Sequence, residues 1–106
     1  MVGLHDIEQI AERLAEAAHA ERVILFGSHA RDDADEESDV DLLIVAPSDQ
    51  PRWRRTVPLY GLLAGLGIAK DIVWWTQEEI DEWRGVRAHF INTVLREGRV
   101  LYERPA

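Results

Sequence analysis

The sequence predicts an α/β (α+β) domain, a small mixed β-sheet packed against helices on at least one face. Three observations point there. An amphipathic stripe opens the chain, short apolar runs of strand character follow at intervals, and helical periodicity returns between and after them. With 106 residues the chain has room for one two-layer core, so residues 1–106 are expected to form a single domain.

Leu4, Ile7, Ile10, Ala11, Leu14, Ala15 and Ala18 recur at three- and four-residue spacing, which predicts a helix over residues 4–19. Arg22-Val-Ile-Leu-Phe26 is a buried-strand run ended by Gly27-Ser28. Residues 32–38 are polar and loop-like, and Asp39-Val-Asp-Leu-Leu-Ile-Val45 is a second strand. Pro47, Ser48, Asp49 and Pro51 mark a turn and a helix start, with Ser48 or Asp49 as its cap. The helix runs to about Leu66, kinked or split at Pro58 and closed by Gly65 and Gly67. Ile68 to Trp75 reads as a third strand. Thr76-Gln-Glu-Glu79 has the form of a capping box and opens one or two helices that end at Gly98. Val100-Leu-Tyr102 is a short last strand.

Composition narrows the classes of function. Twelve basic and 20 acidic residues give a net charge of -8, which argues against direct nucleic-acid binding and suits divalent cations or a basic protein partner. There is no cysteine, so disulfides and thiolate metal sites are excluded. No apolar run is long enough for a membrane helix and the N-terminus lacks a signal-peptide pattern, so a cytoplasmic protein with no membrane association is expected.

Chemistry concentrates in Gly27-Ser-His-Ala-Arg31 and Ser38-Asp-Val-Asp-Leu42. On a strand, residues two apart share a face, so Asp39 and Asp41 project side by side ahead of an apolar run. Paired carboxylates at a strand end suit hard cations. They also suit a charged device that blunts a sheet edge, and spacing alone does not separate the two. Asp33-Ala-Asp35 has the same spacing but no strand to hold it, and reads as solvated loop. Gly27 permits a tight turn with close backbone approach, and a turn capped by Ser28 can present N–H groups to phosphate. Asp71 opens the third strand and joins the pair if strands two and three are neighbours; otherwise it pairs with Lys70 or an Arg. Arg31 suits either a phosphate or the acidic loop. Trp74 and Trp75 point to opposite faces of one strand, so at least one belongs to the core. Trp53 and Trp83 suit packing or an interface, and His29 is near the site without a catalytic assignment.

Gly27-Ser28, ten intervening residues and then Asp39-Val-Asp41 resemble the signature of the polymerase-β-like nucleotidyltransferases. Ala30-Arg31, Ser38-Asp-Val-Asp-Leu-Leu-Ile-Val45 and Thr93 to Glu103 are similar to its minimal, single-domain branch. The resemblance implies the nucleotidyltransferase fold, with two magnesium ions held by Asp39, Asp41 and Asp71. It implies that Gly27 and Ser28 contact the triphosphate of ATP, and that Asp71 also activates the attacking hydroxyl. It further implies a HEPN-domain toxin as partner in a hetero-oligomer, silenced by AMP transfer to one of its tyrosines. A non-catalytic antitoxin that neutralises its toxin by binding alone is the alternative. Asp32 departs from the family pattern, which often has Gly there, and places a negative charge beside the expected phosphate site.

Overall fold

The computed structural model describes residues 2–86 and 89–105. Helix α1 spans Leu4–Ala18, and the carboxylate of Asp6 accepts from the Gly3 N–H to close its first turn. Six of its seven stripe residues are buried; Leu4, the first helical residue, is exposed. His19 ends the helix in the left-handed conformation (φ 52°). Strands β1 (Arg22–Phe26) and β2 (Val40–Val45) follow.

The predicted long helix is split as Pro58 requires, into α2 (Arg52–Arg55) and α3 (Val57–Leu62), with the proline in the first turn of α3. The capping differs from expectation. Pro51 is the N-cap of α2, while the Ser48 hydroxyl accepts from the Gln50 N–H and serves the preceding turn. Gly65 and Gly67 adopt positive φ after the helix has already ended.

Strand β3 (Lys70–Trp75) begins two residues later than its apolar run suggests. The Thr76–Glu79 capping box forms as predicted at the start of α4 (Gln77–Trp83). Helix α5 (Phe90–Glu97) and strand β4 (Arg99–Glu103) complete the chain. Gly98 is required by packing: a Cβ there would collide with the Val94 carbonyl and the Ile24 side chain.

The four strands form one mixed sheet in the order β3-β2-β1-β4. β1 is antiparallel to β2 and β4, and β2 is parallel to β3. Because β2 is central, both of its faces are covered, and it reads as a continuous apolar run after Asp41. Val40, Leu42 and Ile44 pack with α1, Leu59 and Leu63 on one face. Leu43 and Val45 pack with Trp75, Ile80, Ile91 and Val94 on the other. Helices therefore cover both faces, more than the minimum expected. Trp74 joins the first core and Trp75 the second, so both tryptophans pack.

Candidate active site

The sheet register brings the predicted acids together. Asp41 pairs with Asp71 across the parallel β2–β3 ladder and with Phe26 across β1. Neighbouring strands lie about 4.8 Å apart, so Asp41 and Asp71 are side by side. Both share the phase of the second core face, and Asp39 lies one residue ahead of β2 in the same phase. Asp41 is half-buried, whereas Asp39 and Asp71 are exposed.

Asp41 feels both its burial and this concentration of negative charge. Burial first, then the charges of Asp71 and Asp39, raise its pKa above the ordinary carboxylate value, with His29 and Arg31 opposing. Among the described residues none of the three aspartates forms an ion pair. Lys70, a candidate partner for Asp71, instead donates to the Ile68 carbonyl at 3.1 Å.

Gly27 follows β1 with φ +74° and abuts Asp41. A Cβ at this position would overlap Asp41 Oδ2 and lie 3.2 Å from its Cγ. Glycine is thus required twice, for the left-handed backbone and for the carboxylate beside it. The chain then curls: the N–H groups of Ala30 and Arg31 both return to the Gly27 carbonyl, at 3.1 and 3.2 Å. The N–H groups of Ser28 and His29 find no acceptor among the described residues, as at the start of a helix.

Among the described residues no three carboxylates or imidazoles close around one point as a finished metal cage. The donor chemistry nevertheless fits magnesium: three carboxylates that form no ion pair among the described residues, one of them with its charged form disfavoured by burial and by the other two.

A nucleotidyltransferase-domain family model matches residues 7–103. The chain belongs to that family.

Two relatives of this nucleotidyltransferase domain come from Methanocaldococcus jannaschii, each named a putative protein adenylyltransferase. One is 38% identical over 82 residues, covering 76% of this chain and 77% of the relative. The other is 76% identical over 53 residues, covering 50% of this chain and 52% of the relative, about half its length. Two solved structures share the fold. A putative nucleotidyltransferase from Sulfolobus solfataricus aligns over 92% of this chain and 78% of its own, with TM-score 0.64 and 23% identity. A toxin–antitoxin crystal structure with AMP-PNP aligns over 92% of this chain and 73% of its own, with TM-score 0.63 and 20% identity.

The residues around the site meet the following partners. Arg31 pairs with Asp33 at 3.1 Å and with Glu97 at 3.8 Å, so its guanidinium lies on the acidic loop. Asp32 adopts φ 61° without glycine, a conformation aspartate tolerates better than most residues. Its charge is met by Arg99, whose Nη2 donates to Asp32 Oδ2 at 2.9 Å while its Nε donates to the Ala30 carbonyl at 3.0 Å. Asp33 and Asp35 remain exposed, but Asp35 is more than solvated loop. Its carboxylate accepts from the Glu37 N–H and the Ser38 hydroxyl and shapes the turn that delivers Asp39.

The sequence places His29 near the site but not its contact, and it does not single out Tyr60. His29 Nε2 lies 3.4 Å from the Ser38 carbonyl, tying the Gly27 turn to the segment before Asp39. Tyr60, from α3, reaches Asp71 and the Ile72 N–H. Burial above all, with the Asp71 charge, raises the Tyr60 pKa and keeps its phenol protonated. Neither has a spacing signal, because each contact joins separate elements. Among the described residues no helix is long and apolar enough to cross a membrane.

Proposed function

We propose that this nucleotidyltransferase domain transfers AMP from ATP to a tyrosine hydroxyl of a HEPN-type toxin and thereby acts as its antitoxin. The observation that carries the reading is the Asp41–Asp71 pairing across β2 and β3, with Gly27 packed against Asp41. It sets three cation-attracting acids beside a turn whose first N–H groups are available to an anion. The names of the Methanocaldococcus jannaschii relatives and the toxin–antitoxin neighbour with AMP-PNP support the same direction.

In this reading Asp39, Asp41 and Asp71 hold two magnesium ions. When bound, such ions offset the charge that builds on the phosphoryl oxygens. The turn at Gly27 and Ser28 holds the β- and γ-phosphates and so fixes the α-phosphorus for attack. Arg31 swings from its exposed pairs with Asp33 and Glu97, which are weak enough to exchange for a phosphate. Asp71 takes the proton of the tyrosine hydroxyl as its oxygen attacks, and pyrophosphate leaves. The acceptor tyrosine comes from the partner, so the working unit is a hetero-oligomer.

The test is incubation with α-labelled ATP, magnesium and the HEPN-type toxin. Label should appear on a toxin tyrosine, and Asp39→Asn and Asp41→Asn should each abolish it with the fold intact. Full activity in both variants would rule out the assignment. A second reading, neutralisation by binding alone, is favoured by Trp53, 74% exposed beside the open edge of β3. Tight toxin binding without label, lost in Trp53→Ala and unchanged in the Asp→Asn variants, would select it.

A further inference from the structure

We infer that Tyr60 is a positioning residue for Asp71, its phenol aiming the carboxylate that takes the acceptor's proton. The inference rests on the role given to Asp71 above.

Tyr60 and Asp71 belong to opposite sides of the sheet. Helix α3 is anchored on the α1 face by Leu59 and Leu63, which are buried in the first core. Asp71 shares the phase of Val73 and Trp75, which pack in the second. Tyr60 therefore reaches around the edge of the sheet, where β3 has only one neighbour. There its hydroxyl accepts from the Ile72 N–H at 2.8 Å and donates to Asp71 Oδ1 at 3.4 Å.

The order of these two bonds matters. A hydroxyl carries a single proton, so its donor capacity is undivided. The short bond from the Ile72 N–H fixes the phenol oxygen against rigid strand backbone and takes one of its lone pairs. The hydroxyl proton then turns to Asp71. The longer bond leaves the carboxylate aimed but not locked, and it takes one lone pair of Oδ1, so that Oδ2 and the second lone pair of Oδ1 stay open to a metal ion and to the acceptor's proton. Leu59, buried next to Tyr60, anchors the turn of α3 that carries it. Half of the arrangement also serves the fold, because an edge-strand N–H that faces away from its neighbour would otherwise rely on water.

Tyr60→Phe keeps the ring and removes only the hydroxyl. The kcat for AMP transfer to the HEPN-type toxin should fall about 10-fold, with KM for ATP unchanged within about twofold. In the nucleotide-free protein the carboxyl carbon resonance of Asp71 should move, and the Ile72 amide should exchange faster with solvent. An unaltered kcat, or an Asp71 resonance that stays in place, would overturn the inference. So would a joint loss of thermal stability, kcat and ATP affinity, which marks a purely structural contact. Asp71→Asn separates the two levels. If it transfers AMP normally, the role of Asp71 fails and the inference fails with it. If it is inactive while Tyr60→Phe is fully active, only the positioning role falls.

Discussion

At its leading end the β2–β3 pair sets Asp41 beside Asp71, with Asp39 close by and no ion pair among the described residues. At its trailing end Arg55, almost completely buried, donates to the Gln50 and Trp74 carbonyls and makes a two-pronged contact with Glu79, at 2.6 and 3.3 Å. The same Glu79 accepts from the Thr76 N–H at 2.8 Å and so completes the capping box of α4. The titration of the two carboxylates follows. Burial raises Asp41, and its acidic neighbours push further in the same direction. Burial would also raise Glu79, but hydrogen bonds from Arg55 and Thr76 outweigh it and hold the pKa below the ordinary value. One end of the ladder is built for stability, and the other carries charge that His29 and Arg31 only partly oppose.

The comparison can be broken from either end. The largest effect is expected at the satisfied end. Arg55→Ala strips donors from Gln50, Trp74 and Glu79, and should cost about 3 kcal/mol in urea unfolding. A loss under about 1 kcal/mol would mean the network contributes little. At the acidic end Gly27→Ala forces a side chain into left-handed backbone and into Asp41. It should cost about 2 kcal/mol and eliminate the proposed AMP transfer. Retained transfer would show that the Gly27–Asp41 contact is dispensable. Magnesium, at ten times its Kd, should stabilise the wild type by about 1.4 kcal/mol and raise Tm, and should leave Asp41→Asn unmoved.

The smallest effect is the most diagnostic. Without metal, Asp41→Asn should be more stable than the wild type by about 1 kcal/mol near neutral pH, since it removes the burial cost of the charge and the repulsion from Asp71 and Asp39 together with the activity. Asp41 is raised in the fold, so its cost is fully present above its folded value. That cost disappears as pH falls through the folded value towards the unfolded 3.8. Glu79 is lowered, so its stabilisation is present above the unfolded 4.5 and disappears as pH falls through its folded value. In acid titrations the advantage of Asp41→Asn over the wild type should therefore shrink as pH drops. A constant advantage would place its origin outside the charge of Asp41.

Most of the fold could be read from periodicity, because β2, β1 and α1 bury the residues their patterns mark. The strand neighbours could not. The sequence joins Asp71 to Asp41 only on the condition that β2 and β3 are neighbours, and that adjacency is a property of the sheet and not of either segment. The same limit hid Arg55, which reads as one of several arginines on a short helix until Glu79 meets it across 24 positions. It also hid Tyr60, whose partners sit 11 and 12 residues away on another element. Asp32 was the opposite case. Its side chain looked unsuited to its position, and Arg99, 67 residues on, answers for it.

The contact between Gly27 and Asp41 also bears on how such a chain could drift. While Asp41 keeps its carboxylate, position 27 admits no side chain. Once Asp41 shrinks to a small residue, the steric bar lifts and only the positive φ remains. Asparagine and aspartate can then enter. A lineage that abandoned transfer should thus lose the acid first and the glycine afterwards. Descendants with an intact glycine but no acid would be the young pseudoenzymes, and those with neither the old ones.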